Sequence, residues 1–167
     1  MKLIEWSRYK KMELIYRGSR DGTLSKNFHE KCDNKGPTIT LIKYEKGNIF
    51  GGFSSISWTS QNDCKKAPNS FLFTLTNIYG TNPTKFQLKD NNDSYSIYDY
   101  SSWGATFGGG NDLHVSNDFN NNNETYSNFP YSYEDNLGKG KSIFTGDTNN
   151  SNMYFKIKEV EVFKLYE

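Results

Sequence analysis

Twenty basic and nineteen acidic side chains in 167 residues leave a formal net charge of +1, and a phosphate-tracking protein normally carries a pronounced basic excess on one face; the balance argues against nucleic acid and for a protein or a small neutral ligand as partner. No run approaches the ~20 apolar residues of a membrane helix, residues 1–8 lack the apolar core of a secretory signal, and two cysteines do not make a disulfide framework. A cytoplasmic chain with reduced thiols is the simplest reading, and the sequons Asn92-Asp93-Ser94, Asn123-Glu124-Thr125 and Asn149-Asn150-Ser151 then read as by-products of Asn richness. The chain is long enough for one domain. Although only 34% of residues are hydrophobic, 16% are aromatic, and aromatics bury a large area each.

Residues 1–14 set Leu3, Ile4, Trp6, Tyr9, Met12 and Leu14 among Lys and Glu and predict a helical arm over residues 1–15. After an Asp21-Gly22 turn, Leu24, Phe28 and Cys32 recur at i, i+4, i+8, one face of a short helix that Thr23 or Ser25 would cap. Asn34-Lys35-Gly36-Pro37 stops it, since Pro cannot continue a helix. From there the pattern is that of strands. Residues 38–44 and 49–53 are rich in β-branched and aromatic residues and flank the tight turn Glu45-Lys46-Gly47-Asn48, which predicts a hairpin. Phe71-Leu72-Phe73-Thr74-Leu75-Thr76 is almost continuously apolar and is expected at the centre of a sheet. Shorter strands are expected at 85–88, 95–98, 105–107 and 113–115. Residues 153–166 alternate, with a swap of faces near Glu159 that a bulge explains. Residues 58–70 are expected to be an exposed loop and the Asn-rich stretch 117–128 a mobile surface loop. Some seven turn-separated strands imply a mainly-β (α+β) fold: two antiparallel sheets packed as a β-sandwich with a few short flanking helices.

Few residues spell out chemistry. Gly138-Lys139-Gly140-Lys141-Ser142 ends like a phosphate-binding loop, but the motif needs Gly where Asp135 stands. Gly108-Gly109-Gly110 opens no helix, so it reads as a bulge or a tight inter-strand passage, and Gly51-Gly52 inside a strand as a close backbone approach. His29, Cys32, Cys64 and His114 lack the convergent spacing of a zinc site, and no metal or cofactor is expected. Cys32 on the apolar stripe reads as a small buried hydrophobe, with a reactive thiol, helped by Lys31 and His29, as the competing reading. Glu159 and Glu161 share one strand face and read as a solvated acidic stripe. No Gly-x-Ser-x-Gly elbow is present.

Six segments in order resemble the TLDc domain: Tyr16-Arg17-Gly18-Ser19-Arg20-Asp21-Gly22; Phe28-His29 with Cys32-Asp33-Asn34-Lys35-Gly36-Pro37-Thr38; Phe50-Gly51-Gly52-Phe53; Phe71-Leu72-Phe73; Phe107-Gly108-Gly109-Gly110 with Asp112-Leu113; and Val160-Glu161-Val162-Phe163. The resemblance runs from about Trp6 to the C-terminus. It implies a β-sandwich, a cytosolic role in resistance to oxidative stress, and, as in several members, binding to the peripheral V1 sector of the vacuolar proton-pumping ATPase (V-ATPase). It implies no catalytic residue. The expected contact surface is built from Asp21, Gly22, Gly51, Gly52, Gly108, Gly109, Asp112 and Glu161, where glycines let a partner's backbone approach. Two alternatives stand beside this reading: a thiol-based redox enzyme or scavenger using Cys32, and a carbohydrate-binding β-sandwich using Trp58, Trp103 or the tyrosines.

Overall fold

The computed structural model of the chain describes residues 1–91, 95–149 and 153–167. In chain order its elements are α1 (Lys2–Ser7), β1 (Lys11–Arg17), α2 (Gly18–Asp21), α3 (Ser25–Cys32), β2 (Thr38–Tyr44), β3 (Ile49–Ser54), β4 (Asp63–Lys65), β5 (Phe71–Thr76), β6 (Thr84–Gln87), β7 (Ile97–Asp99), β8 (Thr106–Phe107), β9 (Leu113–His114), β10 (Thr125–Tyr126), α4 (Ser142–Thr145), β11 (Tyr154–Phe155) and β12 (Ile157–Tyr166). The sequons at 92–94 and 149–151 fall on or run into residues outside that description.

The predicted hairpin is present, with β2 and β3 in register from Thr38↔Ser54 to Lys43↔Ile49. It forms the middle of an antiparallel sheet ordered β1-β12-β2-β3-β5-β6, and a second antiparallel sheet runs β11-β10-β9-β8-β7-β4. The inner faces meet in one core that joins Ile42, Phe50, Leu72 and Val162 of the first sheet to Ile97, Phe107, Leu113 and Phe155 of the second. This is the expected sandwich. The sheets approach closely at Gly52, where an added Cβ would stand 2.6 Å from the Phe107 ring. Phe107 in turn packs edge-on against Trp58, with ring centroids 5.7 Å apart.

Several expectations are corrected. The N-terminal helix covers six residues, ended by Arg8 in a left-handed conformation; from Lys11 the chain is a strand paired with β12. Alternating exposure of Lys11, Met12, Glu13 and Leu14 shows the strand period, and a bulge between Leu14 and Tyr16 then turns Tyr16 into the core. The spacing looked loosely helical because two periods run together: Leu3, Ile4 and Trp6 belong to α1, while Met12 and Leu14 alternate along β1. Strand β5 lies one place from the edge, not at the centre. It is continuously apolar because both its faces are covered: Leu72 belongs to the inter-sheet core, Phe71 and Phe73 to a cluster under α1. The face swap near Glu159 is a register shift between Ile157 and Glu159.

Two stretches expected to be loose are built in. Within 58–70, Trp58 and Ala67 are fully buried, residues 63–65 form β4, and the Trp58 indole N–H donates to the Thr38 hydroxyl at 3.1 Å. Within 117–128, Phe119 is buried and fills the space beside Gly18. There Asn117 accepts the Ser25 N–H at 2.9 Å, and Asp118 accepts the Thr23 hydroxyl at 2.6 Å. These bonds take Thr23 and Ser25 away from capping α3; Asn27 Oδ1 accepts the Leu24 N–H instead, at 3.1 Å.

Gly52→Ala is expected to lower unfolding stability by about 1–3 kcal/mol, the range for overpacking a tight core. Adding Phe107→Leu should recover part of that loss. A urea-unfolding double-mutant cycle checks it, and strictly additive losses would show that the two residues do not meet.

Candidate functional site

The residues expected to form one contact surface are distributed over the sandwich. Asp21, Gly22 and Glu161 do come together, where β1 and β12 pair and α2 begins. The Tyr16 hydroxyl donates to the Gly22 carbonyl at 2.8 Å, and the Arg17 N–H donates to Asp21 at 2.9 Å. Arg17 also pairs with Glu161 at 2.7 Å, and Arg20 with Asp21 at 2.7 Å. Hydrogen bonding from Arg20 holds the Asp21 carboxyl below its ordinary range. Glu159 accepts the Ser19 N–H at 3.1 Å, so Glu159 and Glu161 hold β1 and α2 and are not the free acidic stripe expected. The Arg17 and Arg20 side chains keep 43% and 49% of their surface in water, which makes this corner accessible.

Gly51, Gly52, Gly108 and Asp112 are buried, and Gly109 is half-buried. The close approaches at the glycines are to the chain's own atoms, not to a partner. Gly108 has φ +88° and faces the Asp112 carboxylate, where a side chain would collide. That carboxylate is a clamp: it accepts the N–H groups of Tyr131 at 2.7 Å, Ser132 at 2.9 Å and Tyr133 at 3.2 Å. Burial pushes its carboxyl up to about 6 against the opposing pull of those N–H groups. In the same manner the Asp135 carboxylate accepts the amides of Gly138 at 2.9 Å and Gly140 at 2.6 Å. The donors a phosphate would use in that glycine loop are therefore occupied.

A second polar cluster was missed in the sequence because its members are far apart along the chain. His29, Asp33 and Asp99 place ligand-type atoms within 4.8 Å of one another. His29 Nδ1 lies 2.7 Å from Asp33, and Nε2 lies 2.9 Å from the carbonyls of both Tyr100 and Trp103. Ser60 donates its hydroxyl to Asp33 at 2.5 Å, so it is not aimed at the imidazole as a nucleophile would be. Asp99, fully buried, accepts the Lys65 ammonium at 2.6 Å and the Thr59 N–H and hydroxyl at 2.8 and 2.7 Å. Burial alone would raise its carboxyl, but Lys65 and Thr59 outweigh it and hold it below the usual range. A cation would have to displace that ammonium, so the cluster is a pin joining α3 to β7 and the loop after Trp58.

Cys32 is completely buried, and burial, with Asp33 and Asp21, pushes its thiol far up. Burial disfavours the thiolate a redox role needs, and the position agrees with the reading of Cys32 as a small buried hydrophobe. Trp58 is equally inaccessible. Trp103 is half-buried with Tyr100 stacked at 4.8 Å, so of the aromatics named for the carbohydrate alternative Trp58 is closed off, while Trp103 and several tyrosines keep part of their surface. Trp103 belongs instead to a row on the outward side of the second sheet: Tyr98, Tyr100, Trp103, His114, Tyr126 and Tyr154 follow one another at centroid distances of 4.8–5.9 Å. Each strand residue in it neighbours a core residue in sequence, a period-two signal that the short strands made hard to read. His114 lies under this row, 7% exposed, and burial takes its imidazole down to about 4.

The profile of the TLDc domain matches residues 1–166. Among curated proteins, the MTOR-associated protein MEAK7 of Danio rerio is 46% identical over 44 residues, 26% of this chain. The aligned segment spans 10% of that relative's length.

Two outcomes test the buried groups. Asp99→Ala is expected to cost about 1–3 kcal/mol by leaving the Thr59 and Ser60 N–H groups and the part-buried Lys65 ammonium without their acceptor, measurable by urea unfolding. For His114, the native state binds fewer protons than the unfolded chain between pH 4 and 6.5, so its contribution is lost as pH falls through that window. Asp112 acts oppositely: its native carboxyl binds more protons between its ordinary value near 4 and about 6, so stability falls as pH rises there. The two offset each other from pH 4 to 6. In His114→Phe, whose Thr106 hydroxyl keeps the Gly104 carbonyl as acceptor, stability should fall as pH rises from 4 to 6. An unchanged pH profile would overturn the assignment.

Proposed function

The chain belongs to the TLDc domain family, and from that premise we propose that it is a non-enzymatic protein-interaction domain acting in oxidative-stress resistance in the cytoplasm. The observation that supports this reading is how the polar side chains are used. The candidate nucleophile Cys32 is sealed in the core, and the Asp, His and Ser groups that resemble catalytic sets donate to or accept from the fold itself. At the surface, one accessible part of the family signature is the charged corner of Arg17, Arg20, Asp21 and Glu161. Charged, hydrogen-bonded and held on two paired strands, that corner is rigid enough to recognise a complementary protein surface. The family resemblance directs the choice of partner to the V1 sector of the V-ATPase.

The test is affinity capture from native cytosol with the purified chain, with and without peroxide. V1 subunits are the expected catch. In the swapped variant Arg17→Glu/Glu161→Arg the ion pair is restored in reverse, so stability should stay within about 1 kcal/mol. Binding through this corner should nevertheless weaken at least about tenfold, roughly 1.4 kcal/mol. Capture of no V1 subunit by the wild-type chain would sink the partner assignment, and full binding by the swapped variant would move the contact elsewhere.

A further inference from the structure

The outer face of the first sheet is apolar where an antiparallel sheet commonly meets water. Ile39, Phe53, Phe71, Phe73 and Leu165 form a cluster there, separate from the inter-sheet core. Helix α1 covers part of it through Leu3, Ile4 and Trp6. Six helical residues rise only ~9 Å, however, whereas a six-stranded sheet is ~24 Å wide. Tyr9, Met12, Leu41 and Leu75 close the rest of the cluster, and beside it, bounded by the end of that helix and by β5 and β6, lies a cleft of ≈ 380 Å³ lined in part by the half-buried Trp6 and Tyr9. Its floor is aromatic: Phe53 packs on Phe71 at 4.9 Å, and Trp6 stands edge-on to Phe71 at 6.3 Å.

The charge of the cleft is one-sided. Among the described residues Arg8 and Lys85 line it, and no Asp or Glu does. Lys85 is half-buried, with its Nζ 5.3 Å over the Phe71 ring. Among the described residues neither cation forms an ion pair. Arg8 is also held at φ +65°, a helix-ending conformation that Gly or Asn usually supplies. A cation drawn partly out of water over a ring is stabilised by that ring, and an incoming carboxylate would complete it. The remaining lining includes Asn69 and Gln87, whose amides both donate and accept, as the backbone of an extended peptide requires.

We propose that this cleft binds an acidic peptide segment of a partner protein. An apolar side chain of the segment sits against the half-buried Trp6 and Tyr9, and flanking carboxylates pair with Lys85 and Arg8. The proposal rests on the reading of the chain as an interaction domain and adds a second surface and the chemistry of what it takes.

The experiment titrates the whole chain with synthetic pentapeptides carrying Phe, Leu or Trp at the centre and Asp or Glu on both sides. Calorimetry gives the affinity, and the indole resonance of Trp6 and the amides of β5 and β6 report the place. Binding is expected for the acidic peptides, weakened at least tenfold by Lys85→Glu, weakened by added salt, and absent when Lys replaces the acidic residues. A thermal melt confirms that Lys85→Glu is folded. Failure of every acidic peptide to bind, shifts confined to other surfaces, or unchanged affinity in Lys85→Glu would overturn the proposal. So would equal displacement by inorganic phosphate, which would mark a simple anion site. Failure of the peptides alongside capture of V1 subunits by the wild-type chain would remove the cleft while leaving the interaction reading intact; absence of all capture by the wild-type chain would remove that reading itself.

Discussion

Phe107 stands where Gly52 leaves room for it, and the packing between the two sheets is organised around that approach. From Phe107 a run of edge-on rings leads through Trp58 and Phe28 to Tyr16, with centroids 5.5–5.8 Å apart. It joins the second sheet, the segment after β3, helix α3 and strand β1. Edge-to-face rings fit only within narrow limits of distance and angle, so a shift at one member displaces the rest. The short helix α3 would be marginal by itself; Phe28, Trp58 and the His29–Asp33 pair fix its place.

Carboxylates turned onto the backbone perform the equivalent task for the loops. Asp99, Asp112 and Asp135 each collect backbone N–H groups that have no strand partner, and all three organise turns between short elements. An unsatisfied buried amide costs as much as a lost hydrogen bond, so one well-placed carboxylate secures several residues of irregular chain. The second sheet needs this help most. Its strands are two or three residues long, too few for ladder bonds alone to fix their register. Gly108 then has a structural reason: any side chain would occupy the space of the Asp112 carboxylate.

That use of Gly and Asp marks the boundary of what the sequence disclosed. The hairpin from residue 38, the strand pattern of β6 to β9 and the bulge near Glu159 follow from local periodicity and turn chemistry, and they were legible. The extent of α1, the strand β1 and the place of β5 were not, because a six-residue helix runs straight into a strand and blends two periods, and a second apolar cluster covers the outer face of β5. The burial of Trp58 and Phe119 depended on partners far away in the chain. The candidate site failed for a related reason. Glycines beside Asp and Phe suggest close approach, and close approach there is, but composition cannot say whether the approaching atoms belong to the chain or to a partner.

With the signature residues largely committed to the interior, recognition falls to surfaces the motifs do not spell out. Both accessible candidates lie on the first sheet, at opposite ends of its strand order: the corner on β1 and β12, and the cleft beside β5 and β6. Helix α1 belongs to both, since it bounds the cleft and leads through Arg8 into β1. The second sheet presents its stacked aromatic row and the loops held by Asp112. A partner engaging the first sheet would therefore meet long, regularly paired strands whose positions are set by ladder bonds, and a docking surface loses least conformational entropy where its backbone is already fixed. The physical division is between a sheet regular enough to present side chains rigidly and one whose short strands spend their polar groups on holding themselves in place.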